Sequence, residues 1–496
     1  MASEMRHITL TPLDHIPPGN YTCSLNYLPL KPGVRFAQAF EVLQKGLQAT
    51  FVLLPWLSGR VWPQSSDAPG WRKGRREIQY NTKDIWERLQ QQFKYHELQS
   101  EQSYSEIKEL AFPLDAFNDE SLISVPFMPD INTGPDVFVA QANFIPGACL
   151  LTICGHHSAA DGEAMSAITN LWAENCKALQ PHFSEHVVMP LGSENSDRTV
   201  LERIWAKEWK GTYPVDPERC RMLGFDPPGL NSENHKLKLQ CREFKDGQIS
   251  KGTIFYISPA NFIALKKGCR QDGSPEKVHS DSDSEISGID AICALMWRFL
   301  LKVRVTAAKN FDYSVGENGN SDAMVRLDLY VNGRNDFSPS LPNPYLGNLT
   351  VVNQCFMPLS VLTSPHVSLG TVARTIRSCA KSINPSSLLD AYTLARDLPD
   401  FEKLVLRNSG IDGSSMALSP LLMMPPLDFG SGVFDNGGKP DATRMLTRAM
   451  YGVSRTGFIL PKLANGGVEF VVNVFEEELE LLLEDEEFGK YAMFLS

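Results

Sequence analysis

His156-His157-Ser158-Ala159-Ala160-Asp161-Gly162, about one third of the way along the chain, decides the reading of this sequence. Its pattern is HHxxxDG. Before it runs an apolar stretch, Ala148 to Cys154, that reads as a buried strand. After it, Ala164, Ile168, Leu171 and Trp172 recur on one helical face. The motif therefore occupies a strand-to-helix turn, which presents a side chain at the edge of a sheet where a cleft can reach it. A histidine placed there can move protons near neutral pH. On the residues alone, three readings stand. His157 is a general base and Asp161 tunes or braces the turn; or His156, His157 and Asp161 bind a metal; or the histidines are structural. Adjacent histidines on a strand point to opposite faces, which weighs against a shared ion. No HExxH pattern or cysteine cluster adds ligands.

The 496 residues exceed one small core, and roughly 150 residues per domain predicts two or three domains. Hydrophobic residues at 43% and charged residues at 21% are those of an ordinary globular protein. Much of the net charge of −11 comes from eight acids between Glu476 and Glu487, read as the solvated face of a helix with Leu479, Leu482 and Leu483 turned inward. No basic tract suggests nucleic acid binding. The first 30 residues lack the pattern of a signal peptide, and no apolar run reaches the ~20 residues that cross a bilayer. The ten cysteines show no regular spacing, which predicts buried free thiols in a reducing, cytoplasmic setting.

Working outward, residues 34 to 51 form an amphipathic pattern with Phe36, Phe40, Leu43 and Leu47 on one face. Residues 137 to 154 read as two strands joined at Pro146-Gly147. The stretch 190 to 236 is polar and rich in Pro and Gly, and reads as a linker with short helical pieces. Beyond it a strand (253–257) leads into a helix capped at Ser258-Pro259. An acidic, Ser-rich stretch at 280–285 follows, predicted to be mobile. Ser287 then caps another helix. Residues 324–331 and 468–474 read as strands, and 371–383 as a helix. Strands and helices alternate in both halves, which predicts α/β layers.

Two further constellations matter. Asp428-Phe429-Gly430-Ser431-Gly432 has two glycines that permit a tight bend. No kinase loop accompanies its DFG triplet. Val331-Asn332-Gly333-Arg334, followed by Leu341-Pro342-Asn343-Pro344-Tyr345-Leu346-Gly347-Asn348, places an arginine at a strand end, suited to pairing with a buried carboxylate. Together with Asp290-Ala291…Trp297-Arg298 and Leu54-Pro55-Trp56-Leu57-Ser58-Gly59-Arg60, in this order, the chain resembles the BAHD-type CoA-dependent acyltransferases along essentially its whole length. DFGxG with Ser431 in place of the usual tryptophan, and a length near 500 residues, resemble the fungal, trichothecene-acetyltransferase-like branch.

The resemblance implies two chloramphenicol-acetyltransferase-like α/β domains, each a mixed β-sheet flanked by helices, with an active-site channel between them. The expected division is 1–210, a crossover at 211–236, and 237–496. It implies transfer of an acyl group, most commonly acetyl, from acyl-CoA to a hydroxyl of a specialised metabolite, without an acyl-enzyme. The alternative is N-acyl transfer, or condensation with a carrier-bound donor. His157 matches the base, with Asp161, Gly162, Arg334, Asp428 and Gly430 as structural support. Ser431 and Ser419 are candidate oxyanion or channel contacts, and Ser287 and Lys302 candidate CoA contacts. Acyl-CoA is a co-substrate. No metal or permanently bound cofactor, no nucleic acid or membrane partner, and a monomeric state are expected.

Overall fold

The computed structural model describes residues 5–180, 191–225, 250–271, 286–310, 323–404, 415–446 and 454–496. Two large sheets dominate. In the first, β2 (Tyr21–Pro29), β7 (Ala148–His156), β6 (Phe138–Ile145) and β5 (Phe93–Glu97) lie side by side, with β12 (Ala442–Met445) on the outer edge of β2. β6 and β7 form a hairpin at Pro146-Gly147, where Gly147 takes φ of +90°, a conformation that suits glycine. Every residue of both strands is buried. That is why they read as continuous apolar runs rather than as alternation.

The second sheet has the order β10 (Thr350–Pro358), β9 (Met324–Asn332), β11 (Met416–Pro420), β13 (Thr456–Ile459), β14 (Val468–Phe475), β8 (Ser250–Ile257) and β15 (Met493–Phe494). Its β11 runs parallel to both neighbours and the other pairs are antiparallel, so the sheet is mixed. A small antiparallel sheet joins β1 (Arg6–Thr9), β4 (Arg76–Tyr80) and β3 (Arg60–Pro63).

Helices α1 (Phe36–Leu53) and α2 (Gly162–Ala178) pack on one face of the first sheet. They approach closely at Gly46, where a Cβ would stand 2.3 Å from Cys176 Sγ. Trp172 of α2 donates its indole N–H to Leu43 O of α1 at 2.8 Å. In the second half, α3 (Pro259–Gln271), α4 (Gly288–Asn310) and α5 (Leu369–Ala380) cover the inner face of the seven-stranded sheet. Residues 291 to 300 of α4 are all buried, as befits a helix covered on every side. As the sequence predicts, Asp290 N donates to Ser287 Oγ and Asn261 N to Ser258 Oγ at the helix starts.

Four expectations need amendment. The thiols are not all free: Cys23 and Cys154 stand opposite each other in the β2–β7 register and form a disulfide. Directly opposed residues bring their Cβ atoms close, but 131 residues separate this pair in sequence, so spacing could not reveal it. The acidic helix α6 (Glu476–Glu484) is not a purely solvated face. Its Leu483 is 51% exposed, whereas Glu478 is 1% exposed and bonds Arg455 of the sheet at 2.6 and 2.7 Å. The linker stretch contains a regular helix, Val200–Glu208, and a 3-10 segment, Pro217–Leu223; its residues from 226 on, like 280–285, lie outside the described residues. Finally, the halves are not cleanly divided, since β12 comes from the second half of the chain and extends the first sheet.

That crossing strand carries a clasp. Arg444 on β12 is 1% exposed and reaches Glu469 of β14 at 2.7 Å, Phe112 O at 2.9 Å and Ala111 O at 2.8 Å. Arg444→Ala would leave Glu469 buried and unpaired, and is expected to lower unfolding free energy by about 3–5 kcal/mol. Urea denaturation checks this, and Arg444→Met with Glu469→Leu should recover much of the loss.

Candidate active site

The HHxxxDG turn joins β7 to α2. His157 N donates to Asn20 O at the start of β2 (2.9 Å), and Ala159 N closes the turn on His156 O (2.8 Å). Asp161 has extended backbone and caps α2, its Oδ1 accepting from Ala164 N at 3.0 Å. The same carboxylate meets the second half of the chain. Arg334, just past β9, forks onto it with Nη2 to Oδ1 at 2.8 Å and Nη1 to Oδ2 at 3.0 Å. Leu349 N (2.8 Å) and Thr350 Oγ1 (3.0 Å) also donate to Oδ2. Arg334 is itself held by Tyr345 O, Gly347 O and Asn332 Oδ1. Burial pushes the Asp161 pKa up, but Arg334 and the N–H groups of Leu349 and Ala164 outweigh it and hold the carboxyl below its usual value.

A second brace was not anticipated. Asp14 is fully buried and accepts from Asn348 N and Nδ2, each at 2.9 Å, and from Arg198 at 3.3 Å. Asn348 Nδ2 also reaches His157 O (2.9 Å), and Arg198 Nη2 reaches Ala159 O (2.6 Å). Asp14 carries a sequence signal, the capping box Thr11-Pro12-Leu13-Asp14, but nothing in that pattern points to residue 348. Both braces hold the turn through backbone carbonyls and Asp161, and Asn348 also acts on the His157 imidazole.

The two histidines differ. His156 is fully buried on β7, edge-on to Tyr21, and its Nδ1 accepts from Ser158 N. Burial, with Arg76 nearby, lowers its pKa to about 3. His157 is half-buried. Burial lowers its pKa too, opposed by its own carbonyl, Asp161 and Asn348. A lowered value leaves the imidazole neutral near pH 7 and able to accept a proton.

The remaining predicted residues are spread widely. Asp428 bonds Lys177 at 2.8 Å and Gly430 N at 2.9 Å. Gly430 has φ of +84°, and a Cβ there would meet Gln180 Nε2 at 2.4 Å. Phe429 packs beneath Trp172. The whole DFGxG loop thus wraps the C-terminal end of α2. Lys177 lies 15 residues beyond Gly162, roughly 20 Å at the ~1.5 Å rise of a helix. Ser431 therefore sits at the far end of the helix from His157, which removes it as an oxyanion donor. Ser419 is on β11, on the face opposite Met416 and Leu418, the face where Thr350 meets Asp161. The segment after β11 brings Met424 Cε within 3.5 Å of a Cβ built on Gly162. Ser287 caps α4, as described. Lys302 is bound to Asp485 at 2.6 Å. Two small cavities, one beside Tyr27 and Arg444 and one beside Arg455 and Glu478, do not touch the turn. No cluster of three metal-ligating side chains occurs among the described residues, and no described helix is long and apolar enough to cross a membrane.

Comparison with known proteins agrees with this geometry. The trichothecene 3-O-acetyltransferase-like N-terminal domain family matches residues 22–176. The isocyanide synthase-NRPS hybrid crmA of Aspergillus fumigatus is 29% identical over 98% of this chain, which spans only 31% of that protein. The eremophilane O-acetyltransferase prx11 of Penicillium rubens is 24% identical over 98% of both chains. The crystal structure of F. graminearum TRI101 complexed with coenzyme A and T-2 mycotoxin superposes with a TM-score of 0.74 at 18% identity, covering 99% of this chain and 100% of that one. The chain is similar to the fungal BAHD-like acyltransferases. Its mixed α/β architecture is theirs.

Two outcomes follow for the turn. Asp161→Ala would leave Arg334 buried and unpaired, and is expected to cost about 3–5 kcal/mol of stability, read by chemical denaturation. The buried histidines give a pH signature. His15 donates Nδ1–H to Thr11 O at 2.7 Å and accepts from Arg76 N at 2.9 Å, so the fold requires its neutral form, and burial lowers its pKa to about 4. Both His15 and His156 are neutral in the fold, while the unfolded chain takes up protons below about pH 6.5. Their presence should therefore cost nothing above pH 6.5 and erode stability as pH falls from 6.5 towards 4. His15→Gln should flatten that slope in melting-temperature profiles.

Proposed function

We propose that this protein transfers an acyl group, most commonly acetyl, from acyl-CoA to a hydroxyl of a small specialised metabolite, with His157 as general base. One observation carries the reading. Asp161 accepts five hydrogen bonds and faces Arg334, so it has no free lone pair for a substrate, whereas Nδ1 of His157 on the same turn is buried without a hydrogen-bond partner. The thioester is already activated. The alcohol attacks its carbonyl, a C–O bond forms, and His157 takes the hydroxyl proton. The C–S bond then breaks, and His157 returns the proton to the departing CoA sulfur. A positioned base contributes ~10²–10⁴ in rate. Ser419, on the sheet face adjoining Asp161, is the oxyanion candidate that the geometry leaves. Gly162, Arg334, Asp428 and Gly430 serve as support at the two ends of α2. Ser287, at the start of α4, is the one proposed CoA contact that keeps a place in this reading.

The names of the relatives support acyl transfer: prx11 is an O-acetyltransferase, and TRI101 is seen with coenzyme A and T-2 mycotoxin. The match to part of crmA, an NRPS hybrid, supports a second reading with a carrier-bound donor. A monomer working in the cytoplasm completes the proposal; the setting is supported by seven cysteines that remain free among the described residues, beside the one disulfide, Cys23–Cys154.

His157→Ala is expected to lower acyl transfer at least ~10²-fold with an unchanged melting temperature. The assay is mass-spectrometric, with acetyl-CoA and a panel of hydroxylated terpenoids, polyketides and alkaloids. Turnover like that of the unaltered protein would overturn the assignment. Running acetyl-CoA beside an acetyl-loaded carrier protein separates the two donor readings.

A further inference from the structure

We propose that Asn348 is a positioning residue for the base: its amide oxygen accepts a hydrogen bond from Nδ1–H of His157, which fixes the imidazole with its lone pair on Nε2. The inference rests on the acyl-transfer reading above and assigns the tautomer in which His157 works.

The orientation of the Asn348 amide comes first. Its Nδ2 donates to Asp14 Oδ1 and to His157 O, each at 2.9 Å. A carboxylate and a carbonyl only accept, so the reversed amide would set its oxygen against two oxygens. Asp14 is itself held in place. It is fully buried, its Oδ1 also accepts from Asn348 N at 2.9 Å, and its Oδ2 accepts from Thr11 N and Thr11 Oγ1, each at 2.8 Å. With the amide nitrogen pinned, the amide oxygen is pinned too.

Two buried atoms are then left over. Asn348 Oδ1 and His157 Nδ1 each lack a hydrogen-bond partner among the described residues. They belong to side chains that act on each other. Burial disfavours the charged ring of His157, while its own carbonyl, Asp161 and the side chain of Asn348 favour it. Of these three, Asn348 is the one whose acceptor oxygen has no other partner, since Asp161 is fully engaged and the His157 carbonyl already accepts from Asn348. Catalytic hydrogen bonds are often long or poorly aligned before substrate binds, and tighten in the complex.

The tautomer follows from this pairing. A lone pair on Nδ1 would face the lone pairs of Oδ1, leaving two buried acceptors with nothing to accept. A proton on Nδ1 satisfies both atoms at once. The lone pair then lies on Nε2, the ring nitrogen farther from the backbone. His156 is the opposite case: its Nδ1 accepts from Ser158 N at 3.3 Å, which puts its proton on Nε2. Asn348 thus does two things for the base. It holds the ring in one orientation, and it supports the imidazolium formed when the substrate proton arrives.

The test has two arms, both on the full-length protein. Heteronuclear NMR of protein carrying isotope-labelled histidine reads the tautomer at neutral pH without substrate, and the His157 signals are those lost in His157→Ala. His157 is expected in the Nδ1–H form. In the second arm, Asn348→Ala is assayed with acetyl-CoA and a hydroxylated acceptor from the panel above. Its kcat should fall about tenfold, the worth of one hydrogen bond, with KM for both substrates unchanged. The acidic limb of its kcat/KM profile should move to lower pH, because the imidazolium has lost an acceptor. Asp161 with Arg334, Asp14 with Arg198, and the buried neutral His156 all remain in this variant, so the movement belongs to the amide. Arg444→Ala, which loses stability at the β12 clasp, should keep both kcat and the pH profile at a temperature where it stays folded. His157 found in the Nε2–H form, or averaging between the two forms, overturns the proposal, and this arm decides even where Asn348→Ala does not fold. An Asn348→Ala enzyme that matches Arg444→Ala in kcat and pH profile overturns it as well. The NMR arm needs no substrate and His157→Ala tests transfer by itself, so failure here is distinct from failure of the acyl-transfer reading.

Discussion

The buried pair of Asp161 and Arg334 is the contact on which the rest of the site depends. It joins residues 173 apart, one capping the first turn of α2 and the other following β9 of the second sheet. Isolating either charge in the interior would be costly, and the pair is tolerable because its geometry is bidentate and the remaining lone pairs and N–H groups are satisfied. Leu349, Thr350, Tyr345 and Gly347 supply those partners. The turn is therefore stiff only when both sheets are in place. The geometry of the turn and the docking of the two halves are one structural event.

The two ends of α2 share the motifs. At the N-terminal end Asp161 caps the helix and fixes the turn that carries His157. At the C-terminal end Lys177 and Gln180 hold Asp428, Phe429 and Gly432 of the DFGxG loop. The loop thus bears on the HHxxxDG turn through the seating of α2 rather than by contact. This accounts for the presence of Ser431 where an indole is usual: at that distance from His157 a side chain is free to vary without touching the reaction. Desolvation completes the site, since the burial that braces the turn also lowers the histidine pKa values and keeps His157 in its basic form.

Much of this was legible in the chain. The strand and helix around HHxxxDG follow from the apolar run 148–154 and the spacing of Ala164, Ile168, Leu171 and Trp172, both local patterns. Arg334 was readable as a partner for a buried carboxylate because its strand-end, Pro-rich setting suits one. What escaped the reading has a common cause. Cys23 with Cys154, Asp14 with Asn348, Arg444 with Glu469 and Arg455 with Glu478 are each unremarkable in their own segments. Each becomes a pair only through strand register or the meeting of the two sheets. The pairing of Lys302 with Asp485 escaped it for the same reason.

By itself the sequence determined the local devices: the apolar hairpin of β6 and β7, the Asp161 cap, the glycines that permit the DFGxG bend, and adjacent histidines that alternation turns to opposite faces. Those are set by periods of two and 3.6 residues and by backbone sterics, which act over a few residues. The tertiary structure alone decided which charges face one another, that Ser431 is remote while Ser419 shares a sheet face with Thr350, and that Arg76 stands beside Ser158. Those depend on where distant segments come to lie, and electrostatic and desolvation energies are determined by that distance and burial rather than by order along the chain.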